Sequence, residues 1–211
     1  MDGSRDLELA RAIAQDIARL GGRAYFVGGI VRDGLMGVGC KDIDVEVYGI
    51  SPQALREVLS AHGTVVEKGA SFGVLGLEHT NLDIAMPRRE RRTGERHRDF
   101  DVSVDPALSP REASVRRDFT INAMMRDVLT GELIDCWGGR ADLDARIIRR
   151  VSAATFPEDA LRAFRAAQFA ARLEARIEPE TAGLCAGIRV FQVSPGRGVD
   201  EVCKALPRAS R

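Results

Sequence analysis

Lysine is almost missing from this chain: of 211 residues only positions 41, 68 and 204 carry it, and arginine supplies the rest of the positive charge. The planar fork of arginine suits phosphate and base edges, but a GC-rich genome gives the same bias, so the bias alone assigns no partner. Thirty-one basic and thirty-one acidic residues leave no net charge, which speaks against binding a polyanion through overall charge. No run of eighteen apolar residues exists and the N-terminus lacks the three regions of a signal peptide, so the expectation is a cytoplasmic protein with no membrane partner. The four cysteines, Cys40, Cys136, Cys185 and Cys203, lack metal-ligand spacing; they read as free thiols of a reducing compartment, not as a zinc site. Histidine is equally sparse. His62, His79 and His97 lie outside the motifs below, so none is assigned as a catalytic base.

What is present is an Asp-x-Asp pair. Asp42 and Asp44 alternate with Ile43, Val45 and Val47, and the period of two puts Asp42, Asp44 and Glu46 on one face of a strand over 42–48, the apolar residues on the other. Neighbouring carboxylates repel unless a cation lies between them. Hard oxygen donors in a pair suit Mg²⁺, which keeps waters and completes its shell with substrate phosphates. A solvated edge-strand face is the alternative. Upstream, Tyr25-Phe26-Val27-Gly28-Gly29 reads as a strand entering a glycine turn and then a helix, an arrangement that offers backbone N–H groups to phosphate, with Arg32 one turn on as a charged fork.

Gly28-Gly29-Ile30-Val31-Arg32-Asp33 followed by Lys41-Asp42-Ile43-Asp44 resembles the signature of class II nucleotidyltransferases, the family of tRNA CCA-adding enzymes and bacterial poly(A) polymerases. Three further matches follow in order. Arg116-Arg117-Asp118-Phe119-Thr120-Ile121-Asn122 is similar to the ribose-recognition motif, Asp135 to Leu143 to the hinge between head and neck, and Glu158-Asp159 through Arg162 and Arg165 to the neck helix that reads the incoming base. The resemblance implies an α/β head of the DNA polymerase β-like nucleotidyltransferase type, a small mixed sheet flanked by helices, over residues 1–143, and an all-helical neck over 144–211. It implies that Asp42 and Asp44 hold Mg²⁺, and that Gly28, Gly29, Arg32, Arg117, Asp118, Asn122, Asp159, Arg162 and Arg165 bind nucleotide. The implied partners are CTP or ATP and the 3′ end of tRNA or another RNA. Gln168 departs from the arginine that many members carry.

Several positions keep two readings. Asp83 interrupts the apolar Leu82-Asp83-Ile84 and is the candidate third catalytic carboxylate, a salt bridge to Arg88 or Arg91 being the alternative. Residues 88–98, six arginines against two glutamates without apolar period, read as a basic loop that is either solvated or handles triphosphate and nucleic-acid backbone. Asn122 either meets a ribose hydroxyl or ties two segments together as a buried amide. Phe119 and Trp137 are expected in the core. In the neck helix, Ala160, Ala163, Phe164, Ala167 and Ala171 are expected to pack, with Asp159, Arg162, Arg165 and Gln168 on the reading face.

Helices are expected near 5–20, from Ile30, over 51–61 behind the Ser51-Pro52 cap, and around 111–115; strands over 24–28, 42–48, 65–68, 74–78 and 81–85. Segments 120–127 and 133–135 read as strand-like or packed, and strand signals mostly fade after Leu143. The family's body and tail domains find no counterpart, with one or two short helices expected over 186–206. The chain thus reads as a minimal form, a catalytic fragment, or a subunit whose partner or oligomer supplies RNA binding. Three functions follow: CCA addition to tRNA or part of it, poly(A) addition, or a catalytically silent nucleotide-binding module.

Overall fold

The computed structural model of the chain describes residues 3–68, 73–92 and 100–188. Helix α1 (Gly3–Arg19) turns Ala10, Ile13, Ala14 and Ile17 inward. Leu20 falls past the helix end and is exposed. The buried position of the first turns is instead Asp6, whose carboxylate accepts from the backbone and side-chain N–H groups of Asn81 at 3.1 and 3.3 Å. Strand β1 (Arg23–Val27), helix α2 (Gly29–Leu35), strand β2 (Ile43–Tyr48) and helix α3 (Pro52–His62) follow. Helix α3 starts where the Ser51 hydroxyl accepts from the backbone N–H of Ala54 at 3.1 Å and Pro52 fills the first helical position.

Strands β3 (Val65–Glu67), β4 (Leu75–Leu77) and β5 (Leu82–Ala85) come next. Strands β6 (Arg88–Arg92) and β7 (Phe100–Val104) pair as a separate two-stranded sheet. Residues 88–92 are therefore strand where a loop was expected, while 93–98 of the basic run lie outside the described residues. The run has no period of its own; its partner, with Phe100, Val102 and Val104 alternating, carries the strand signal. Helix α4 (Pro110–Ser114), strands β8 (Met125–Asp127) and β9 (Leu133–Ile134), and helix α5 (Gly139–Asp144) lead on to β10 (Ile147–Ile148), α6 (Leu161–Arg172), β11 (Arg176–Ile177) and α7 (Pro179–Gly187).

Seven strands form a mixed sheet in the order β3-β4-β5-β2-β1-β8-β9, with β2 at its centre, antiparallel to β1 and parallel to β5. A central position rules out the solvated edge considered for the Asp-x-Asp strand. The chain divides into two compact units: Met1–Arg89 with Val102–Ser114 and Met124–Cys136, and Glu90–Asp101 with Val115–Ala123 and Trp137–Arg211. The division is thus not at one point in the sequence. The first unit holds the whole seven-stranded sheet.

The second unit is mostly helical but not wholly so, since β10 and β11 pair in parallel through Ile147–Arg176 and Ile148–Ile177. Two residues per strand leave no alternation to read, which is why an all-helical segment was expected. Its core gathers Phe119, Ile121, Ile148, Phe156, Ala166 and Phe169. Phe119 meets Phe156 and Phe169 edge to face, each with 5.8 Å between ring centres. Trp137, expected in the core, is only half-buried. No helix among the described residues is long and apolar enough to cross a membrane.

Candidate active site

In the first unit the acidic face of β2 changes character along its length. Glu46 is 1% exposed and accepts a 2.9 Å bond from the Tyr48 hydroxyl, and around it Tyr25, Val27, Tyr48, Leu108, Ala113 and Met125 pack into a second apolar cluster. Asp44 is half-buried and Asp42, in the bend just before β2, is exposed. The same face is therefore closed by α4 and its approach at one end and open at the other. Only the open end presents carboxylates to a ligand.

The antiparallel register of β1 and β2, which pairs Phe26 with Val45, brings the Gly28 end of β1 beside the Asp44 end of β2. Gly28 sits at φ 71°, ψ −128°, a conformation that side chains avoid, and caps α2 without any side chain of its own. Arg32, expected to reach for phosphate, is buried: its Nε and Nη2 donate to Asp33 Oδ1 at 2.8 and 2.7 Å. Its guanidinium lies 3.7 Å from where a Cβ on Gly29 would stand, so this arginine braces the glycine turn from behind.

Cys40 Sγ donates to the Asp42 carbonyl at 3.2 Å. Burial pushes its thiol up, the bond to Asp42 works against that, and the Asp33, Asp42 and Asp44 carboxylates push it up further. Negative potential therefore collects at this end of the sheet. Among the described residues no three His, Cys, Asp or Glu side chains are grouped to hold a metal ion. The donor set is the pair Asp42 and Asp44, which fits a cation that takes one or two carboxylates and fills its shell from water and phosphate. Asp83 is the register partner of Asp44 on β5, but its Oδ1 accepts a 2.7 Å bond from Lys68 Nζ, a partner that sequence spacing did not suggest.

The second unit contains the other expected nucleotide contacts. Asp118 is buried with both oxygens engaged: Oδ1 accepts from the Phe119 backbone N–H at 2.7 Å and from Asn122 Nδ2 at 3.0 Å, and Oδ2 accepts from Arg165 Nε at 2.7 Å. Burial pushes its carboxyl up, but Arg165, Asn122 and the Phe119 N–H together hold it below the ordinary range. Asn122 is buried and its amide is turned to Asp118 within the same segment. Arg165 also lies 5.2 Å from the centre of the Phe169 ring. Arg162 is 9% exposed, and its Nη1 and Nη2 donate at 2.6 Å to the carbonyls of Thr155 and Arg116. Asp159 accepts from the Leu161 N–H at 2.9 Å at the start of α6, and Arg117 is half-buried.

The packing face of α6 is only in part the one expected: Ala160 is buried and Ala163 and Phe164 are half-buried. Arg162, Ala166 and Phe169 turn inward with Gln168, while Ala167 and Ala171 are exposed. Phe169 buries more area against Phe119 than an alanine stripe can, and the carbonyls of Thr155 and Arg116 each take an N–H of the guanidinium that goes in with it. A second polar knot was not read at all. Asp142 accepts from Thr120 Oγ1 at 2.7 Å and from Arg149 Nε at 3.0 Å, and Glu178 accepts from Thr181 Oγ1 at 2.7 Å and from Arg150 Nη1 at 3.1 Å. Asp142 was visible beside the hinge glycines; its partners, up to 22 residues away, carried no signal.

A mixed sheet with paired aspartates at the open end of its central strand, beside a glycine turn, is the head of a nucleotidyltransferase. Residues 24–149 match the family model described as the Poly A polymerase head domain, and the chain belongs to the class II nucleotidyltransferase family that contains it. It is 41% identical over 162 residues to the Multifunctional CCA protein of Xylella fastidiosa (strain M23), covering 75% of this chain and 38% of that protein. The Multifunctional CCA protein of Xanthomonas campestris pv. campestris (strain B100) is 41% identical over 165 residues, 77% of this chain and 39% of the relative. The Bacillus stearothermophilus CCA-adding enzyme in complex with CTP aligns at a TM-score of 0.78 and 29% identity over 95% of this chain and 48% of its own. The Thermotoga maritima CCA-adding enzyme complexed with tRNA-CCA aligns at 0.77 and 28% identity over all of this chain and 51% of its own. The chain thus spans about two fifths of the curated relatives' length.

Proposed function

We propose that the chain transfers CMP, AMP or both from CTP and ATP to the 3′ end of tRNA, releasing pyrophosphate. The observation that carries this is the exposed Asp42 and half-buried Asp44 at the open end of β2, alongside the Gly28-Gly29 turn. In this reading the first unit is the catalytic head, Asp42 and Asp44 hold Mg²⁺, and the glycine turn lets backbone N–H groups approach the triphosphate while Arg32 keeps the turn in place. Bound there, Mg²⁺ supplies the charge that favours the ionised 3′-hydroxyl and offsets that of the triphosphate and leaving pyrophosphate. The hydroxyl oxygen attacks the α-phosphorus in line, and the bond to the β-phosphate oxygen breaks. The hydroxyl proton leaves to water, so no side chain of the pair needs to take it.

The second unit is proposed as the base-recognition neck, with Arg117, Asp159, Arg162 and Arg165 the candidates for nucleotide contact. Asp118 and Asn122 serve there mainly by fixing Arg165. Support comes from the relatives: the B. stearothermophilus structure is a CTP complex and the T. maritima one a tRNA complex. A cytoplasmic location belongs to the same reading, since its reactants are tRNA and nucleoside triphosphates.

The test is transfer of labelled CTP and ATP, separately and together, onto tRNA ending before CCA, with Mg²⁺ and an Asp42→Ala/Asp44→Ala control. CC then A incorporation that the control abolishes supports CCA addition. Transfer of A alone, in runs, supports the poly(A) activity that the matching family model is named for. Transfer that survives in the control overturns the assignment of the site.

A further inference from the structure

Asp83 stands where a third carboxylate would be useful, yet it is held by a residue just past the end of another strand. Asp44 and Asp83 are register partners on the adjacent parallel strands β2 and β5, so their side chains leave the same face of the sheet about 4.8 Å apart in strand spacing. Lys68 follows β3 directly. Its side chain runs across β4 to β5, where Nζ donates to the Leu82 carbonyl at 2.9 Å and to Asp83 Oδ1 at 2.7 Å.

The route depends on Gly76. A Cβ there would lie 2.5 Å from Lys68 Cε, 3.0 Å from Cδ and 3.0 Å from the Leu82 carbonyl oxygen, so any other residue would displace the lysine stem. Gly76 pairs with Val66 inside a buried strand, a place where glycine weakens a sheet and is explained by what passes over it. The ion pair itself is a third to two fifths exposed, and pairs of that kind contribute only about 0–1 kcal/mol to stability. Its larger effect is on where the Asp83 carboxylate points and on the charge of the face beside Asp44.

We propose that Lys68 is a positioning residue: laid across Gly76, its ammonium holds the Asp83 carboxylate away from the cation site at Asp42 and Asp44, so that the site works with two carboxylates instead of three. The proposal rests on the metal-site reading above. A donor set of two leaves coordination positions to water and to substrate phosphates, as Mg²⁺ chemistry requires, whereas a released Asp83 would make the site one unit more negative and compete with those oxygens. Lys68 therefore keeps cation binding weak and open.

The test measures Mn²⁺ binding to the full chain without nucleotide, by the electron paramagnetic resonance of free Mn²⁺. Lys68→Met is expected to tighten binding roughly five- to tenfold by freeing a carboxylate next to the pair. Adding Asp83→Asn to Lys68→Met is expected to return it to the wild-type value, and Asp83→Asn alone, which leaves the ammonium unpaired beside the site, to weaken it slightly and far less than Asp44→Asn does. A merely structural lysine would not produce that reversal. Unchanged or weaker binding in Lys68→Met overturns the proposal, as does an Asp83→Asn variant that loses Mn²⁺ as Asp44→Asn does, which would make Asp83 a ligand. Wild-type binding that ignores Asp42→Asn and Asp44→Asn overturns the metal-site reading itself, and the role of Lys68 with it.

Discussion

Arg165 Nε donates to Asp118 Oδ2 at 2.7 Å, joining α6 to the Arg116–Asn122 motif across 47 residues of sequence. Three donors engage the two oxygens of Asp118, so its carboxylate ties Arg165 to the Phe119 backbone and the Asn122 amide.

Its titration gives the first prediction. The folded carboxyl lies below its ordinary value, so the stabilisation it brings is fully present above the unfolded value, about 3.9, and is lost as pH falls through the lower folded one. Thermal midpoints measured from pH 7 down to pH 3 are expected to fall steeply below about pH 4. Asp118→Asn should flatten that fall while costing about 1–3 kcal/mol at neutral pH, because the buried donors lose their charged acceptor. A variant as acid-sensitive as the wild type would remove Asp118 as the cause.

Arg162→Ala tests whether the arginine reads, supports or does both. Removal leaves the Thr155 and Arg116 carbonyls without their 2.6 Å donors in a buried place, at a cost of about 2–4 kcal/mol. The expected outcome is a lower unfolding midpoint together with blurred choice between CTP and ATP, and partial rescue of the midpoint by Arg162→Lys. Blurred choice with an unchanged midpoint would make the residue a reader alone.

Asp42→Ala should separate chemistry from stability. The side chain is exposed, so the unfolding free energy is expected to stay within about 0.5 kcal/mol, whereas nucleotide incorporation is expected to disappear with the proposed cation ligand. Glu46→Ala, two steps along the same face, is the contrast: it opens a hole beside Tyr48 and should lower the midpoint strongly. Equal loss of stability in both variants would mean that the open end of β2 is structural as well.

The sheet of the first unit was legible because its strands announce themselves locally. Ile43, Val45 and Val47 alternate, Ser51 and Pro52 start a helix, and the Gly28-Gly29 turn follows an apolar run. The Asp-x-Asp pair was legible for the same reason, since a period of two needs no partner to be read. What could not be read is whatever a distant segment decides. Glu46 shares a face with Asp44 but is buried because Tyr48 and the Leu108–Ala113 stretch close over it. Lys68 finds Asp83 only because the order β3-β4-β5 brings a glycine between them. Charged residues on α6 were placed outside by rule, and Arg162 went in because two backbone carbonyls were waiting there.

Gln168 shows the same inversion without the compensation, and it yields the last prediction. The residue is 5% exposed, and its Oε1 is buried with no hydrogen-bond partner. A buried amide oxygen left so costs about 1–3 kcal/mol relative to a satisfied one. Gln168→Met keeps nearly the same length and removes the polar atom, so the expected unfolding midpoint is equal to or above that of the wild type, where most buried substitutions lower it. Gln168→Ala should lower it, because that change leaves a cavity next to Phe169 instead of an apolar replacement. If Gln168→Met costs as much as Gln168→Ala, the amide is satisfied by an ordered water, and its polarity, not its volume, is what the second unit retains it for.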